Sequence, residues 1–155
     1  MRNDLRTQAL SGAVASLLLT TSAFLPWLTL GDVRLTGVPD PVGYFVAAMG
    51  VAGLGLSGAA SRGRGGAVRM QLLAGLAGLT TLAVVTVTGP ATIADRAFAH
   101  AEAVALVDNV AIQPPPDVRL AYGLVLGLFG SLALTGVGLR AYLGSGVVSV
   151  ASSDT

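Results

Sequence analysis

The chain has 155 residues, of which 53% are hydrophobic and only 11% are charged, whereas soluble domains carry about 25% charged residues. So little charge cannot cover a water-exposed surface, and the composition predicts an integral membrane protein. The net charge of +1 gives no support for nucleic-acid binding, and the absence of cysteine excludes disulfides, thiolate metal sites and cysteine nucleophiles.

Four apolar segments have the length of about 20 residues that a helix needs to cross a bilayer core. They cover residues 8–28, 41–60, 68–88 and 120–139, and none contains Asp, Glu, Lys or His. Their single arginine, Arg69, lies at an end. We therefore predict an all-α polytopic membrane protein, with one four-helix transmembrane domain over residues 1–145 and a short cytoplasmic tail at 146–155.

The first span has an alternative interpretation. The basic start MRNDLR before an apolar run is also typical of a secretory signal peptide, with cleavage after Ala23. The apolar run is long for such a peptide and continues through Phe24 and Leu25 to Trp27. A retained first helix is therefore favoured.

Residues at the span boundaries predict where helices begin and end. Asp40 and Asp117 each precede a span as an N-cap, and Pro41 occupies a first helical position, where its missing N–H is not needed. Gly89 and Pro90 predict the end of the third span, because proline cannot continue the hydrogen-bond ladder. The sequence SRGRGGAVR predicts a short basic turn between the second and third spans.

Arginines near the span ends predict the orientation, since cytoplasmic loops are enriched in basic residues. With a cytoplasmic N-terminus, three arginines lie outside, namely Arg34, Arg96 and Arg119. Six lie inside: Arg2, Arg6, Arg62, Arg64, Arg69 and Arg140. The aromatic residues fit these depths, with Trp27, Tyr44 and Tyr122 at the outer interface and Tyr142 at the inner one. Both termini are therefore predicted to be cytoplasmic.

Small residues recur at every fourth position in two spans, which places them on one helix face. The stripe in the first span consists of Gly12, Ser16 and Thr20, and that in the fourth of Gly123, Gly127, Ser131 and Thr135. Lipid is as apolar as leucine, so membrane helices associate through close packing of small residues. We expect both stripes to face other helices, within the chain or at a subunit contact. Glycine and alanine are also common in membrane helices in general.

The segment before the fourth span holds the only histidine, His100, with Asp95 and Glu102 nearby. On a helix, His100 lies well over 100° around from both acids, so no carboxylate meets it at metal-ligand spacing. Alternating alanines favour a short external helix between spans three and four. Its apolar residues are expected to rest on the bundle or the lipid interface: Ile93, Phe98, Val104, Leu106 and Val107. A pH-sensitive or metal-assisting His100 is the alternative.

Prolines 114–116 predict a stiff return from this external helix to the fourth span. The whole outer segment, residues 91–117, is therefore expected to be ordered.

Motifs of catalysis are absent: the sequence contains no P-loop, dinucleotide fingerprint, HExxH or GxSxG. We therefore expect no enzyme, and predict no catalytic, cofactor or metal site. A coupled transporter would need an ionisable residue inside a span, and none lies there.

The function that these observations favour is that of a non-catalytic accessory or structural subunit of a larger membrane assembly. Its expected partners are the lipid bilayer and other membrane subunits or further copies of the chain, and not nucleic acid. The alternative is a passive channel or small-solute pathway formed by a homo-oligomer. Hydroxyl residues would line it: Ser16, Thr20, Thr80, Thr81, Thr86, Thr88, Ser131 and Thr135.

The stretch FLPWLTLGDVRLTG, followed by a glycine-rich second span, a basic turn and two further spans, resembles small uncharacterised four-span membrane proteins of high-GC prokaryotes, of the actinobacterial and haloarchaeal type. The similarity covers the whole chain as a pattern, with Pro26, Trp27, Gly31 and Gly37 as its motif-like residues. The layout is also similar to that of claudins, but the first loop lacks their paired cysteines and W-GLW run. The resemblance implies a four-helix membrane fold and no particular activity.

Overall fold

The computed structural model describes residues 2–108 and 117–150, and the side chains of residues 6–107 and 117–143. Four helices make up most of the chain: α1 (Arg2–Ser22), α2 (Pro41–Ser61), α3 (Gly65–Asp108) and α4 (Tyr122–Val150). The all-α prediction is confirmed for the bulk of the fold. The predicted tail is helical as far as Val150, while residues 151–155 and the predicted proline return lie outside the described residues.

The helices form a bundle in which α1 packs against α2 and α4, and α3 packs against the same two neighbours. Fully buried leucines fill its interior: Leu19, Leu82, Leu124 and Leu134. At one end, Ala9, Ala60 and Val68 form a second cluster, which brings the start of α1 next to the end of α2 and the start of α3. Consecutive helices are therefore antiparallel.

Apolar side chains also cover the outside of the bundle, as lipid contact requires. Exposed examples on α2, α3 and α4 are Val51, Leu73, Val84 and Phe129. Three helices are long and apolar enough to cross a membrane: Pro41–Ser61, Gly65–Val107 and Tyr122–Leu143. These features are consistent with the predicted membrane localisation.

The third helix is longer than predicted, because α3 does not end at Gly89 and Pro90. It has 44 residues and Pro90 lies inside it, which gives a length of about 66 Å. Proline removes one hydrogen bond, to the carbonyl of Thr86, but membrane helices tolerate that loss, and the alanine-rich residues that follow favour helix. The expected separate external helix is therefore the continuation of α3.

A small sheet at the other end of the bundle was not predicted. It consists of β1 (Pro26–Leu30), β2 (Val33–Thr36) and β3 (Val118–Leu120), in the order β2-β1-β3 with both pairs antiparallel. The first helix consequently ends at Ser22 rather than at residue 28, since Pro26 cannot continue it and begins a strand. A two-residue turn joins β1 to β2, where Gly31 adopts a φ of 58° that favours glycine.

One of the two predicted helix caps is confirmed. The side chain of Asp40 accepts a hydrogen bond of 2.9 Å from the backbone N–H of Val42, with Pro41 in the first turn of α2. Asp117 is not a cap, because the strand β3 intervenes and α4 begins only at Tyr122. The short turn before α3 is confirmed, with Gly63 at a φ of 87°.

Candidate functional site

The stripe of small residues on α1 faces α2 and α3. A Cβ added to Gly12 would lie 2.6 Å from Nε2 of Gln71, and one added to Gly50 would lie 2.7 Å from the backbone nitrogen of Thr20. Ser16 has no exposed surface and contacts the position that a Cβ of Gly53 would occupy. The backbones of α1 and α2 therefore approach closely at Gly50, whereas Gly12 leaves room for the side chain of Gln71.

The stripe on α4 faces α1, β1 and α3. A Cβ on Gly123 would lie 2.5 Å from the carbonyl oxygen of Pro26, and one on Gly127 would lie 2.7 Å from Oγ of Ser22. Further along, the backbone nitrogen of Thr135 is 2.5 Å from the Cβ position of Gly75 on α3. Ser131, between them, is fully buried. The two stripes thus have different partners and do not face each other.

The hydroxyl groups of these stripes donate hydrogen bonds within their own helices. Ser16 donates to the carbonyl of Gly12 at 2.7 Å, and Thr20 to that of Ser16 at 2.9 Å. Ser131 and Thr135 repeat the pattern on α4, and so do Thr80, Thr81, Thr86 and Thr88 on α3. Each of these hydroxyl groups therefore already donates a hydrogen bond to a backbone carbonyl, and none needs water in a pore as its hydrogen-bond acceptor.

Gln71 is a buried polar residue of α3 that the sequence analysis missed, since it considered ionisable and hydroxyl residues inside the spans but no amides. Its side chain has no exposed surface, and its Nε2 donates a hydrogen bond of 2.7 Å to Oγ of Ser57 on α2. Its Oε1 is buried without a hydrogen-bond partner. A single glutamine in an otherwise apolar span is a signal that the sequence does contain.

We call the segment of α3 that follows Pro90 the outer part of α3. His100 is exposed there, as are Asp95 and Glu102. No group of three His, Cys, Asp or Glu side chains among the described residues is placed to hold a metal ion. The apolar residues of this part are expected to rest on the bundle or on the lipid interface, and the contacts show which of them rest on the bundle. Ile93 packs against the core, but Leu106 and Val107 are 78% and 84% exposed and do not rest on the bundle.

Phe98 and Val104 are likewise exposed, at 47% and 42%. The outer part of α3 therefore presents apolar side chains that the described residues of the bundle leave uncovered.

A groove of about 810 Å³ lies between the sheet and α3, and we call it the outer groove. Its apolar lining comes from both sides, with Trp27 and Leu28 on β1 and Val85 and Ile93 on α3. Three charged residues also line it: Arg34 on β2, Asp40 at the start of α2 and Arg96 on α3. The outer groove thus combines an apolar floor with two guanidinium groups.

Trp27 fixes the sheet side of the outer groove. It is only 5% exposed, and its Nε1 donates a hydrogen bond of 2.8 Å to the carbonyl of Ser22. A Cβ on Gly37 would lie 2.5 Å from the indole Cε2, so only glycine allows the chain to pass over the ring. The backbone carbonyl of Trp27 also accepts the N–H of Ala121 at 2.8 Å, which ties the start of α4 to β1.

A shallow cleft at the end of the sheet that holds the β1–β2 turn carries charged residues, and its lining includes Asp32, Arg34, Asp117 and Arg119. Arg119 and Asp117 are 3.7 Å apart and both are largely exposed. An exposed pair of this kind contributes little to stability.

Comparison with known proteins found no match among family models, curated proteins or solved structures. The function is therefore argued from the fold and from these surfaces.

Proposed function

We propose that this chain is a non-catalytic membrane protein that acts as an accessory or structural subunit of a larger membrane assembly. The observation that carries the proposal is the outer part of α3. A bilayer core of about 30 Å needs about 20 residues of helix, whereas α3 has 44. Its outer end carries the exposed apolar residues Phe98, Leu106 and Val107, and exposed apolar surface beyond the membrane is typical of a subunit contact.

We further propose that all four helices cross the cell membrane, with both termini in the cytoplasm. For α1 the support is its packing along α2 and α4 and the exposed apolar residues Leu10, Val14 and Leu17, which suit contact with lipid. The orientation is supported by the arginines, which are more numerous at the end of the bundle opposite the sheet.

Cysteine labelling tests this topology, and the absence of native cysteine makes single variants unambiguous. Asp32→Cys lies in the exposed turn between β1 and β2, and Gly65→Cys has open space around its Cβ position. An impermeant thiol reagent added to intact cells should label the first variant and not the second. Gly37 also lies at the sheet end of the bundle, but a cysteine there is unsuitable for labelling, because its Cβ would overlap the indole ring of Trp27. Labelling of Gly65→Cys alone would reverse the topology.

The subunit proposal is tested with the double variant Leu106→Glu/Val107→Glu. The protein and its associated membrane proteins are purified from native membranes in mild detergent, and the stoichiometry of each is measured. A partner should co-purify at a fixed ratio with the wild type and be lost from the variant. Ala94→Glu/Ala101→Glu is the matched control, because both positions are partly exposed, lie more than 100° around α3 from Leu106 and Val107, and gain the same charge. Equal recovery of partner with both variants would contradict the proposal.

A passive channel formed by several copies is the competing function. Flux of ions or small solutes is measured across liposomes that contain the purified protein. The subunit proposal predicts no flux above that of empty vesicles, and flux above that background would overturn it.

A further inference from the structure

We propose that the outer groove binds one anionic phospholipid from the membrane leaflet at the sheet end of the bundle. The phosphodiester lies between Arg34 and Arg96, and an acyl chain lies along Leu28 and Val85. The site is independent of the partner subunit proposed above, because it uses the face between the sheet and α3 rather than the outer end of α3.

The depth of the outer groove matches that of a lipid molecule. No charged residue occurs on α3 between Arg69 and Asp95. Arg69 and Arg96 are 27 positions apart, which corresponds to about 40 Å of helix and is close to the thickness of a bilayer with its headgroup regions. Arg96 therefore lies at headgroup level when Arg69 lies at the opposite interface. Val85 then lies about 17 Å deeper, at the level of the acyl chains.

The charges that line the outer groove suit a single phosphodiester. Arg34 and Arg96 are exposed, and neither forms an ion pair with the described side chains, those of residues 6–107 and 117–143. Asp40 accepts the N–H of Val42 with one carboxylate oxygen, at 2.9 Å, and so serves as the cap of α2. The lining of the outer groove, with two arginines and one aspartate, has a net charge of +1, which one phosphodiester neutralises, while Arg34 also borders the cleft that holds Asp32 and Asp117. Guanidinium groups present paired donors that match phosphate oxygens.

The α3 wall between these arginines and the deep end presents methyl groups rather than free hydroxyl donors. Thr88 and Thr92 line the outer groove, but their hydroxyls donate to the carbonyls of Val84 and Thr88, at 2.9 Å and 2.8 Å. The arginines are thus the strong donors available to a ligand here, while the rest of the wall suits a hydrocarbon chain. A phosphate at one end and a hydrocarbon at the other define a phospholipid.

Trp27 is the only tryptophan and lines the outer groove, so its fluorescence reports directly on the acyl chain of a bound lipid. The purified protein is reconstituted in vesicles of phosphatidylcholine that contain a small fraction of phosphatidylglycerol. Bromine atoms on the acyl chains of one lipid or the other quench the indole on contact. Brominated phosphatidylglycerol should quench Trp27 at a mole fraction roughly tenfold lower than brominated phosphatidylcholine, given the strength of hydrogen bonds to charged groups.

Three variants distinguish binding of the lipid in the outer groove from a general electrostatic attraction between an anionic lipid and basic residues. Arg96→Gln and, separately, Arg34→Gln should each remove most of the preference for phosphatidylglycerol. Arg119→Gln removes the same charge at the same end of the bundle but outside the outer groove, so it should keep the preference. All three residues are exposed, and equal thermal midpoints show that the variants are folded.

Three results would overturn the proposal. The first is equal quenching of the wild type by the two lipids, and the second is the same loss of preference in Arg119→Gln as in Arg96→Gln. The third is displacement of the lipid by glycerol phosphate or inorganic phosphate at millimolar concentration, which would show that the outer groove binds a free phosphate group and not a lipid.

Discussion

Replacement of Gly127 by alanine tests the packing of α4 most directly. The added Cβ would lie 2.7 Å from Oγ of Ser22 on α1 and 2.9 Å from Cδ1 of Leu82 on α3. Both neighbouring residues are fully buried. The Ser22 hydroxyl also donates a hydrogen bond of 2.7 Å to the carbonyl of Leu19, so it cannot turn away without losing that bond. The added methyl group therefore forces a change of side-chain conformation at Ser22 or Leu82, or a separation of the helices.

The expected change in the unfolding free energy of Gly127→Ala follows from two opposing contributions. Forcing an extra carbon into a packed core destabilises by about 1–3 kcal/mol, and alanine in place of glycine favours a helix by just under about 1 kcal/mol. Gly136 on the same helix is exposed, and its Cβ position has no neighbour within 4 Å. Gly136→Ala therefore shows the helix contribution alone. The difference in unfolding free energy between the two variants should be the packing contribution, about 1–3 kcal/mol.

Unfolding is measured in mixed micelles by titration with sodium dodecyl sulfate, followed by helix circular dichroism. Gly127→Ala should unfold at a lower denaturant fraction than Gly136→Ala, and Gly127→Leu at a lower fraction still. Size-exclusion chromatography checks that the oligomeric state is the same. The half-buried neighbours Leu126 and Leu128 are weaker controls, because Leu128 also packs against the core. Equal stability of the two alanine variants would refute the packing that we describe.

Three further predictions use the same purified protein. Gln71→Met should be at least as stable as the wild type in thermal unfolding, because it removes a buried carbonyl whose missing partner costs about 1–3 kcal/mol. Gln71→Glu should be less stable, because it buries a charge. A lower thermal midpoint for the methionine variant than for the wild type would contradict this. Gly37→Ala should shift the emission of Trp27 to longer wavelength, since the added methyl group displaces the indole, and unchanged emission would show that the ring is not held there. Backbone hydrogen exchange should be slow through residues 91–107, as expected for continuous helix, and fast exchange beginning after Pro90 would show that α3 ends there.

The sequence predicted those parts of the fold that depend on local patterns. Charge-free apolar segments identified the helices α2 and α4 to within a few residues at their starts, and Asp40 identified the cap of α2. The strand β1 was missed because its first residues, Pro26–Leu28, continue the apolar run of the predicted first span. The turn after it, Gly31 and Asp32 between leucine- and valine-rich runs, did carry a local signal.

The remaining differences arise from contacts between distant parts of the chain. The strand β3 exists because it pairs with β1, with Arg119 opposite Thr29, and a three-residue strand has no local pattern of its own. The outer groove joins Leu28 and Arg34 to Val85 and Arg96, which are far apart in sequence. The sequence predicted both arginines at the same end of the bundle, but it could not bring them to one groove.

The continuity of α3 has a mechanical consequence. A helix of about 66 Å is a stiff rod, and its two ends lie on opposite sides of any bilayer that it crosses. A rotation of about 5° around the inner end moves the outer end by about 6 Å over that length. Pro90 removes one internal hydrogen bond, so bending is concentrated at that residue and the segments on either side move as rigid arms. A displacement at the far end of α3 is therefore taken up first as a bend at Pro90, and only the remainder tilts the segment that leads back to the turn after α2.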